Sequence, residues 1–472
     1  MRKVPKEKIL ERLERDNPWW SDSGTIQPFY AEMRPRPHIQ HFFPLVAQTE
    51  IRRAVVLMGP RRVGKTVLLH HAISELITSG VNPGSIAYIS VDHPIFNGLG
   101  LEDFVTAIEE AGSMDLSSEQ AYLFFDEIQY LRGWEVHLKA LVDSYPNLNI
   151  TVSGSAAAAL KLKSSESGAG RFTDFILPPL TFYEYLVLLD LENLFEAPGD
   201  DRGFIRARDI DELNKHFIHY LNFGGYPEVV FSEQIQKDPG RFIKSDIIDK
   251  VLLRDLPSLY GIQDIQELNS LFTTLAYNTA NEVSLEDLAS GSGVAKNTIK
   301  RYIEYLEAAF LIRIIHRVDK SAKRFKRANF FKVYLTNPSI RAALFSPIDE
   351  GDQAMGPLVE TAIFSQWFHS DNPMYYARWN KGELDIVNLG REQKPDWVVE
   401  VKWSDRIVKH PEELKGLVGF CKKHNLSSTL VTTKTTRSKG MLDGVPIEFM
   451  PASEYCLTLG RNLVRAHEFG VV

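Results

Sequence analysis

Hydrophobic and polar positions along this chain change period several times, and each change marks an element. Val55, Val56, Leu57 and Met58 form a short apolar run of strand type, and Val67 to Ala72 then switch to helical spacing. Ser85 to Asp92 reads as a second strand and Ala121 to Glu127 as a third. Asn149 to Ser155 is a β-branched run that ends in small polar residues. Upstream, the charged helical stretch Lys6 to Arg15 breaks at Asn17-Pro18-Trp19-Trp20, and Pro28, Pro35, Pro37 and Pro44 keep the backbone extended or turning. Trp19, Trp20, Phe29, Phe42 and Phe43 would be a liability in solvent. Residues 1–50 therefore read as an arm that packs on the core or on a neighbouring subunit.

From about residue 236 the pattern turns helical, over Ile243 to Leu256, Ile265 to Thr279 and Ser284 to Ala289. Gly291 and Gly293 make a turn, Lys296 to Leu306 starts another helix, and Leu311 to Ile315 is a strand behind it. Helix, glycine turn, helix and strand is the order of a winged helix-turn-helix. Lys296, Asn297, Thr298 and Lys300 would open its recognition helix, and Arg317, Lys320, Lys323, Arg324, Lys326, Arg327 and Lys332 would form a basic wing. A solvated face on a domain that only joins subunits is the alternative.

A third region begins near residue 346. Gly356 to Phe368 is an amphipathic helix with Pro357 in its first turn, followed by strands at Tyr375 to Trp379, Gly382 to Val387 and Trp397 to Trp403. Glu412 to His424 and Ser428 to Thr432 supply a closing helix and strand.

The length of 472 residues suggests about three domains, and 44% apolar with 24% charged residues suits folded ones. A net charge of -7 does not favour nucleic acid for the whole molecule but leaves a local patch open. Cys421 and Cys456 have neither disulfide-framework nor zinc spacing, and no apolar run approaches bilayer length. A soluble cytoplasmic protein is the expectation.

The candidate chemistry begins where the first strand meets its helix. Gly59, Pro60, Arg61, Arg62, Val63, Gly64, Lys65, Thr66 and Val67 follow the Gly-x-x-x-x-Gly-Lys-Thr pattern of a phosphate-binding loop. The glycines let backbone N–H groups point at phosphate oxygens, Lys65 would reach the β and γ phosphates, and Thr66 would hold Mg²⁺. Asp126 and Glu127 close an apolar strand, as a Walker B segment requires: Asp126 for Mg²⁺ and Glu127 for the attacking water. Ser153 or Ser155 would sense the γ-phosphate. Arg171, and after it Arg254, are candidates for an arginine finger acting across a subunit boundary.

Gly59 to Thr66, Phe125 to Gln129, Val152 to Ser155, Leu177 to Leu186 and Phe223 to Glu228 together resemble the prokaryotic AAA+ ATPases that carry a C-terminal domain of unassigned function. The resemblance covers nearly the whole chain. It implies ATP binding and hydrolysis, and a homo-oligomer, by family resemblance of six subunits.

Glu400 and Lys402 lie two apart on a strand and share a face, while Val399 and Val401 point into the core. With the Asp385 strand alongside, three polar side chains meet on a surface of Val and Ile. This arrangement resembles the restriction-endonuclease-like core, in which Asp385, Glu400 and Lys402 match its Asp, Glu-x-Lys signature and Glu360 is a supporting acid. The resemblance implies Mg²⁺ held by Asp385, Glu400 and Glu360 beside a phosphodiester, with Lys402 on the attacking water.

The expected class is α/β: a P-loop AAA+ domain with a doubly wound parallel sheet over 1–235, a helical winged-helix domain over 236–345, and an α/β restriction-endonuclease-like domain over 346–472. Three functions fit it. The first is an ATP-driven machine acting on DNA. The others are a nucleotide-dependent switch that assembles through proteins, and a metal-dependent nuclease gated by ATP.

Overall fold

In the computed structural model the chain divides into two compact units, Met1–Leu177 and Pro178–Val472. The structure describes residues 5–21, 24–112, 116, 119–154, 170–196, 203–324, 329–368, 373–380 and 382–465. The borders expected near 235 and 345 both fall inside the second unit.

The first unit is built on five parallel strands, β1 (Ala54–Met58), β2 (Ile86–Ser90), β3 (Ala121–Asp126), β4 (Leu148–Gly154) and β5 (Phe172–Ile176), in the order β2-β3-β4-β1-β5. Every residue of β1 and β3 is buried, which is why these strands are apolar throughout rather than alternating. Helices α1 (Lys6–Asp16), α2 (Pro28–Ala31) and α3 (Ile39–Ala47) belong to the arm, and α4 (Lys65–Thr78), α5 (Leu101–Gly112) and α6 (Trp134–Ser144) lie between strands. Strand β4 separates β1 from β3, with Met58 level with Gly154 and Phe125 level with Val152. The carboxyl ends of these three strands thus meet along one edge of the sheet, where ligands of such folds bind.

The arm packs on its own unit. Strand β2 ends the sheet, so its outward backbone groups need partners. Side chains supply them: Trp19 Nε1 and Trp20 Nε1 donate to the Ile86 carbonyl at 2.9 and 2.7 Å. The Asn17 carboxamide accepts from the Tyr88 N–H at 2.6 Å and donates to the Tyr88 carbonyl at 3.0 Å, acting as one more strand residue. Phe42 is buried against Phe175, whereas Phe29 stays 65% exposed. Asn17→Ala leaves both Tyr88 groups unpaired in a dry place, and urea unfolding is expected to register a loss of about 2–3 kcal/mol. Ser21→Ala, at an exposed position, is expected to change stability by less than about 0.5 kcal/mol.

The second unit opens with a capping box: Thr181 Oγ1 accepts the Glu184 N–H and Glu184 Oε2 accepts the Thr181 N–H, starting α7 (Phe182–Leu188). Helix α8 (Ile210–Phe223) follows the short ladder β6 (Phe195–Glu196) and β7 (Arg206–Ala207). Next come α9 (Ile265–Tyr277), β8 (Glu282–Ser284), α10 (Leu285–Ser292), α11 (Lys296–Ala308), β9 (Ile312–Val318) and β10 (Phe330–Leu335). Gly293, at φ 72°, ends α10 in the left-handed region that the turn demands. Then follow α12 (Met355–Gln366), β11 (Met374–Trp379), β12 (Gly382–Leu389), β13 (Pro395–Glu400), α13 (Lys415–His424), β14 (Thr429–Thr433), β15 (Ser438–Leu442), β16 (Val445–Pro451) and α14 (Ala452–Arg465).

These strands form a single nine-stranded sheet, ordered β15-β16-β14-β13-β12-β11-β9-β10-β8. Strand β9 pairs in parallel with β11, Tyr375 against His316, so the sheet runs across residue 345 without interruption. That pairing accounts for the difference from two separate domains, because the strand expected behind the helical region, β9, has β11 as a neighbour. One apolar core joins residues from both stretches, including Phe217, Ile315, Tyr334, Ile363, Ile386 and Leu457.

Candidate functional site

At the end of β1 the chain makes a turn that only glycine fits. Gly59 has φ 153°, and a Cβ there would lie 2.3 Å from the Leu177 carbonyl oxygen. Arg62 and Gly64 both have positive φ, at 64° and 92°, and α4 starts at Lys65. Val63 is fully buried, and Arg36 from the arm donates to its carbonyl at 2.9 Å. Lys65 Nζ donates to the carbonyls of Gly59 at 3.1 Å and Pro60 at 2.8 Å, bracing the loop from inside. Arg61 is half-buried, Arg62 exposed and Val67 half-buried.

Asp126 is 2% exposed and organises the neighbouring strand ends. Its Oδ2 accepts from Thr66 Oγ1 at 2.7 Å and from Tyr88 OH at 2.9 Å. Its Oδ1 accepts from Ser153 Oγ and from the Glu127 N–H. Glu127, at φ 57°, sits in the left-handed region, an uncommon backbone state for this residue type, and its Oε2 accepts from Gln129 Nε2. Lys65, Thr66, Asp126, Glu127 and Ser153 therefore come together on one sheet edge. Burial and the Asp126 charge raise the Tyr88 phenol well above its ordinary range, which keeps it a hydrogen-bond donor. Tyr88, Gln129 and Arg36 were not singled out from the sequence. Tyr88 and Arg36 act through partners distant in the chain, whereas Gln129 acts on Glu127 two residues away, at the end of the Phe125 to Gln129 stretch.

Thr66 and Asp126 present hard oxygens of the kind magnesium prefers, beside a loop whose first glycine leaves no room for a side chain. Those residues fit the expected nucleotide and metal. Ser155 lies outside the described residues. Arg171 precedes β5, whose Phe172 is level with Ala54, so it stands at the opposite sheet edge from the loop, with Nε 2.5 Å from Asp143 Oδ1. Arg254 is exposed in the second unit.

The other predicted constellation also assembles, with an addition. Ile386 pairs with Val399 across β12 and β13, which sets Asp385 beside Glu400. Asp385 Oδ2 accepts the Val401 N–H at 2.9 Å and lies 3.6 Å from Lys402 Nζ, which is 2.7 Å from Glu400 Oε1. Glu400 Oε2 is buried without a hydrogen-bond partner. Into this group comes Lys332 of β10, 3% exposed, with Nζ 3.0 Å from Glu360, 3.0 Å from Glu383 and 3.2 Å from Asp385. Tyr334 OH donates to Glu360 Oε1 at 2.5 Å. Lys332 was expected on an exposed basic wing. It is instead buried, and the sequence signal for this is a lone charge inside the apolar run Phe331–Leu335.

Burial, reinforced by the Asp385 charge, raises the Glu360 and Glu400 carboxyls above the ordinary range. Burial pushes Asp385 the same way, but the Lys332 and Lys402 ammoniums outweigh it and hold Asp385 low. Burial alone would lower Lys332; the oxygens of Tyr334, Glu360, Asp385 and Glu383 overcome it and keep the ammonium charged. Because Lys332 lies among the acids expected to bind Mg²⁺, their arrangement does not fit a metal. Among the described residues, no group of three or more His, Cys, Asp or Glu is placed to hold one.

The expected wing is also altered elsewhere. Arg317 turns inward to the Arg378 carbonyl, and Lys326 and Arg327 lie outside the described residues. Lys320, Lys323 and Arg324 are exposed, with Arg324 over the Tyr375 ring. On α11, Lys296, Asn297, Lys300 and Arg301 are exposed and Thr298 is half-buried. Lys296 is paired with Glu286.

Residues 51–186 match the family model described as an AAA domain, and residues 214–350 match one described as Domain of unknown function (DUF8612). With the parallel sheet and loop above, the first unit carries an AAA-type P-loop nucleoside-triphosphatase domain. The chain is similar to a protein of Haemophilus influenzae titled "Uncharacterized protein", 25% identical over 84% of this chain and 92% of that one. It is also similar to "Uncharacterized protein MJ1637" of Methanocaldococcus jannaschii, 26% identical over 79% of this chain and 81% of that one. Solved structures matched at 15% identity include the S. cerevisiae Hsp104:casein complex, with TM-score 0.30 over 56% of this chain and 49% of that one. Another is the replication initiator DnaA bound to AMPPCP and single-stranded DNA, with TM-score 0.26 at 15% identity over 57% of this chain and 86% of that one. No helix among the described residues is long and apolar enough to cross a membrane.

Proposed function

We infer that this protein hydrolyses ATP with the loop Gly59 to Thr66 and the pair Asp126-Glu127. The observation that carries this reading is the 2.7 Å hydrogen bond between Thr66 and Asp126, which joins the two motifs at one point. Bound Mg²⁺-ATP supplies the reacting phosphate and a Lewis acid. Lys65 places a positive charge where phosphate charge develops, and the loop N–H groups with the start of α4 add to it. Thr66 and Asp126 would hold the metal. Glu127, oriented by Gln129, is placed to accept a proton from water. Ser153 and Tyr88 orient Asp126 through hydrogen bonds.

The second unit, in this reading, engages DNA through α10, α11 and the β9–β10 ladder used as a winged helix. The exposed Lys300, Arg301, Lys323 and Arg324 support it. A cytoplasmic homo-oligomer, with Arg171 or Arg254 offered to a neighbour's nucleotide, completes it. The test is ATPase rate with and without DNA at low salt: stimulation supports the DNA reading, and indifference favours a switch that assembles through proteins. Reversing Lys300, Arg301, Lys323 and Arg324 to Glu is expected to weaken DNA binding by about 100-fold or more. Its salt slope should fall by about 3 to 4. Unchanged affinity would move the DNA site elsewhere.

A specific observation favours a non-cutting role for the Asp385 cluster. Lys332 neutralises the acids that a nuclease needs for its metal. We place the β11–β14 region as a binding module within the ATP-driven machine.

A further inference from the structure

We propose that the Lys332 ammonium is the resident cation of the Asp385 cluster, standing where a divalent metal would otherwise be required. The inference rests on the non-cutting reading above and assigns its physical cause. Three carboxylates from two elements, Glu360 of α12 and Glu383 and Asp385 of β12, each approach Nζ within 3.2 Å. The ammonium donates hydrogen bonds to Glu360 and Asp385, and Glu383 adds an ion pair to the same nitrogen. The whole side chain is buried, and its Nζ lies 5.5 Å from the centre of the Tyr376 ring.

Lys332 is a fixed part of the sheet. Its backbone pairs with Ile315 of β9 and with Glu282 of β8, so β10 has a neighbour on each side. The cation is therefore tied to the fold and does not exchange with solvent. Lys402, 40% exposed, is a second cation at the rim of the cluster, 2.7 Å from Glu400 and 3.6 Å from Asp385 and beyond the Glu360 and Glu383 pairs of Lys332, in the position that the Asp, Glu-x-Lys pattern anticipates. Lys332 lies outside that pattern, 53 residues before Asp385. A metal entering beside Asp385 would stand next to a buried like charge and compete for the same oxygens, which opposes its binding.

Removing the ammonium reverses the balance. In Lys332→Met the stem remains, and Glu360, Glu383 and Asp385 are left to repel one another unless a hard cation joins them. The experiment uses the full chain, nucleotide-free and stripped with EDTA, with Mn²⁺ as the probe, followed by titration calorimetry and thermal unfolding. Wild type and Asp385→Asn are expected to respond to Mn²⁺ alike, since any binding at the phosphate loop is common to both. Lys332→Met is expected to melt lower than wild type in EDTA and to gain one Mn²⁺ site. Its Tm should rise by about 5 °C or more in excess Mn²⁺. Lys332→Met/Asp385→Asn should lack that gain.

A wild-type Mn²⁺ site that Asp385→Asn abolishes would overturn the proposal. So would a folded Lys332→Met that gains none. If Lys332→Met does not fold, the comparison of wild type with Asp385→Asn still decides the matter. ATPase rate and DNA affinity, measured on the same preparations, report separately on the proposed function, so its failure is distinguishable from failure here.

Discussion

Lys65→Ala is expected to abolish ATP turnover, lowering kcat/KM by at least about 100-fold. The side chain is 6% exposed, and its ammonium is held by two carbonyls of the loop it serves. Truncation therefore removes a charge from beside the phosphates and also an internal brace. Lys65→Arg would not restore the rate, because a planar guanidinium does not fit a space shaped for a compact ammonium. Glu127→Gln separates binding from chemistry. It keeps the shape and the contact with Gln129 but loses the base, so nucleotide should still bind while turnover falls by a factor of about 100 to 10,000. Phosphate release and binding of a fluorescent nucleotide, measured together on both variants, check this. Full turnover by Lys65→Ala would end the assignment of the loop.

The phosphate loop was legible because its requirements are local. Strand, glycine turn and helix are contiguous from Val55 to Ala72, and each glycine is demanded by the backbone at its own position. Asp385, Glu400 and Lys402 were legible for a related reason, since charges in Val-rich strands must meet one another. What could not be read was which strands adjoin. Strand β9 pairs with β11 across more than fifty residues of sequence, and no local pattern records that choice. The expected border at 345 followed from treating the helical region as finished at its own strand, Leu311 to Ile315. The same gap hid Lys332, whose meaning depends on Glu360, Glu383 and Asp385 arriving from later elements. The arm is a similar case: Trp19 and Trp20 signalled burial, but only the position of β2 at the sheet edge explains the two indole hydrogen bonds to one carbonyl.

The first unit is expected to lose about 3 kcal/mol of stability between pH 6.5 and pH 4 through a single side chain, His70. It is 1% exposed, stacked on Tyr30 with ring centres 3.8 Å apart and against Tyr88 at 4.6 Å, with the edge of Trp19 nearby. Its Nδ1 has no hydrogen-bond partner. Burial, with a smaller push from His71, lowers its pKa to about 3. The ring is thus neutral in the fold and takes a proton in the unfolded chain below its ordinary value of 6.5. A depressed folded-state pKa means that the contribution is complete above pH 6.5 and is lost as pH falls toward 3. Asp126 reaches this stack through Tyr88, so acid is expected to loosen the strand edge that orients the candidate metal ligand. His70→Phe keeps an aromatic ring in the stack and removes the titration. Urea unfolding of wild type and His70→Phe from pH 8 to pH 4 checks this. Glu360 and Glu400, raised above the ordinary carboxyl range, lose stability in the opposite direction as pH rises, but that term is common to both proteins and cancels in the difference. Stability curves that stay parallel down to pH 4 would show that the ring is not kept neutral.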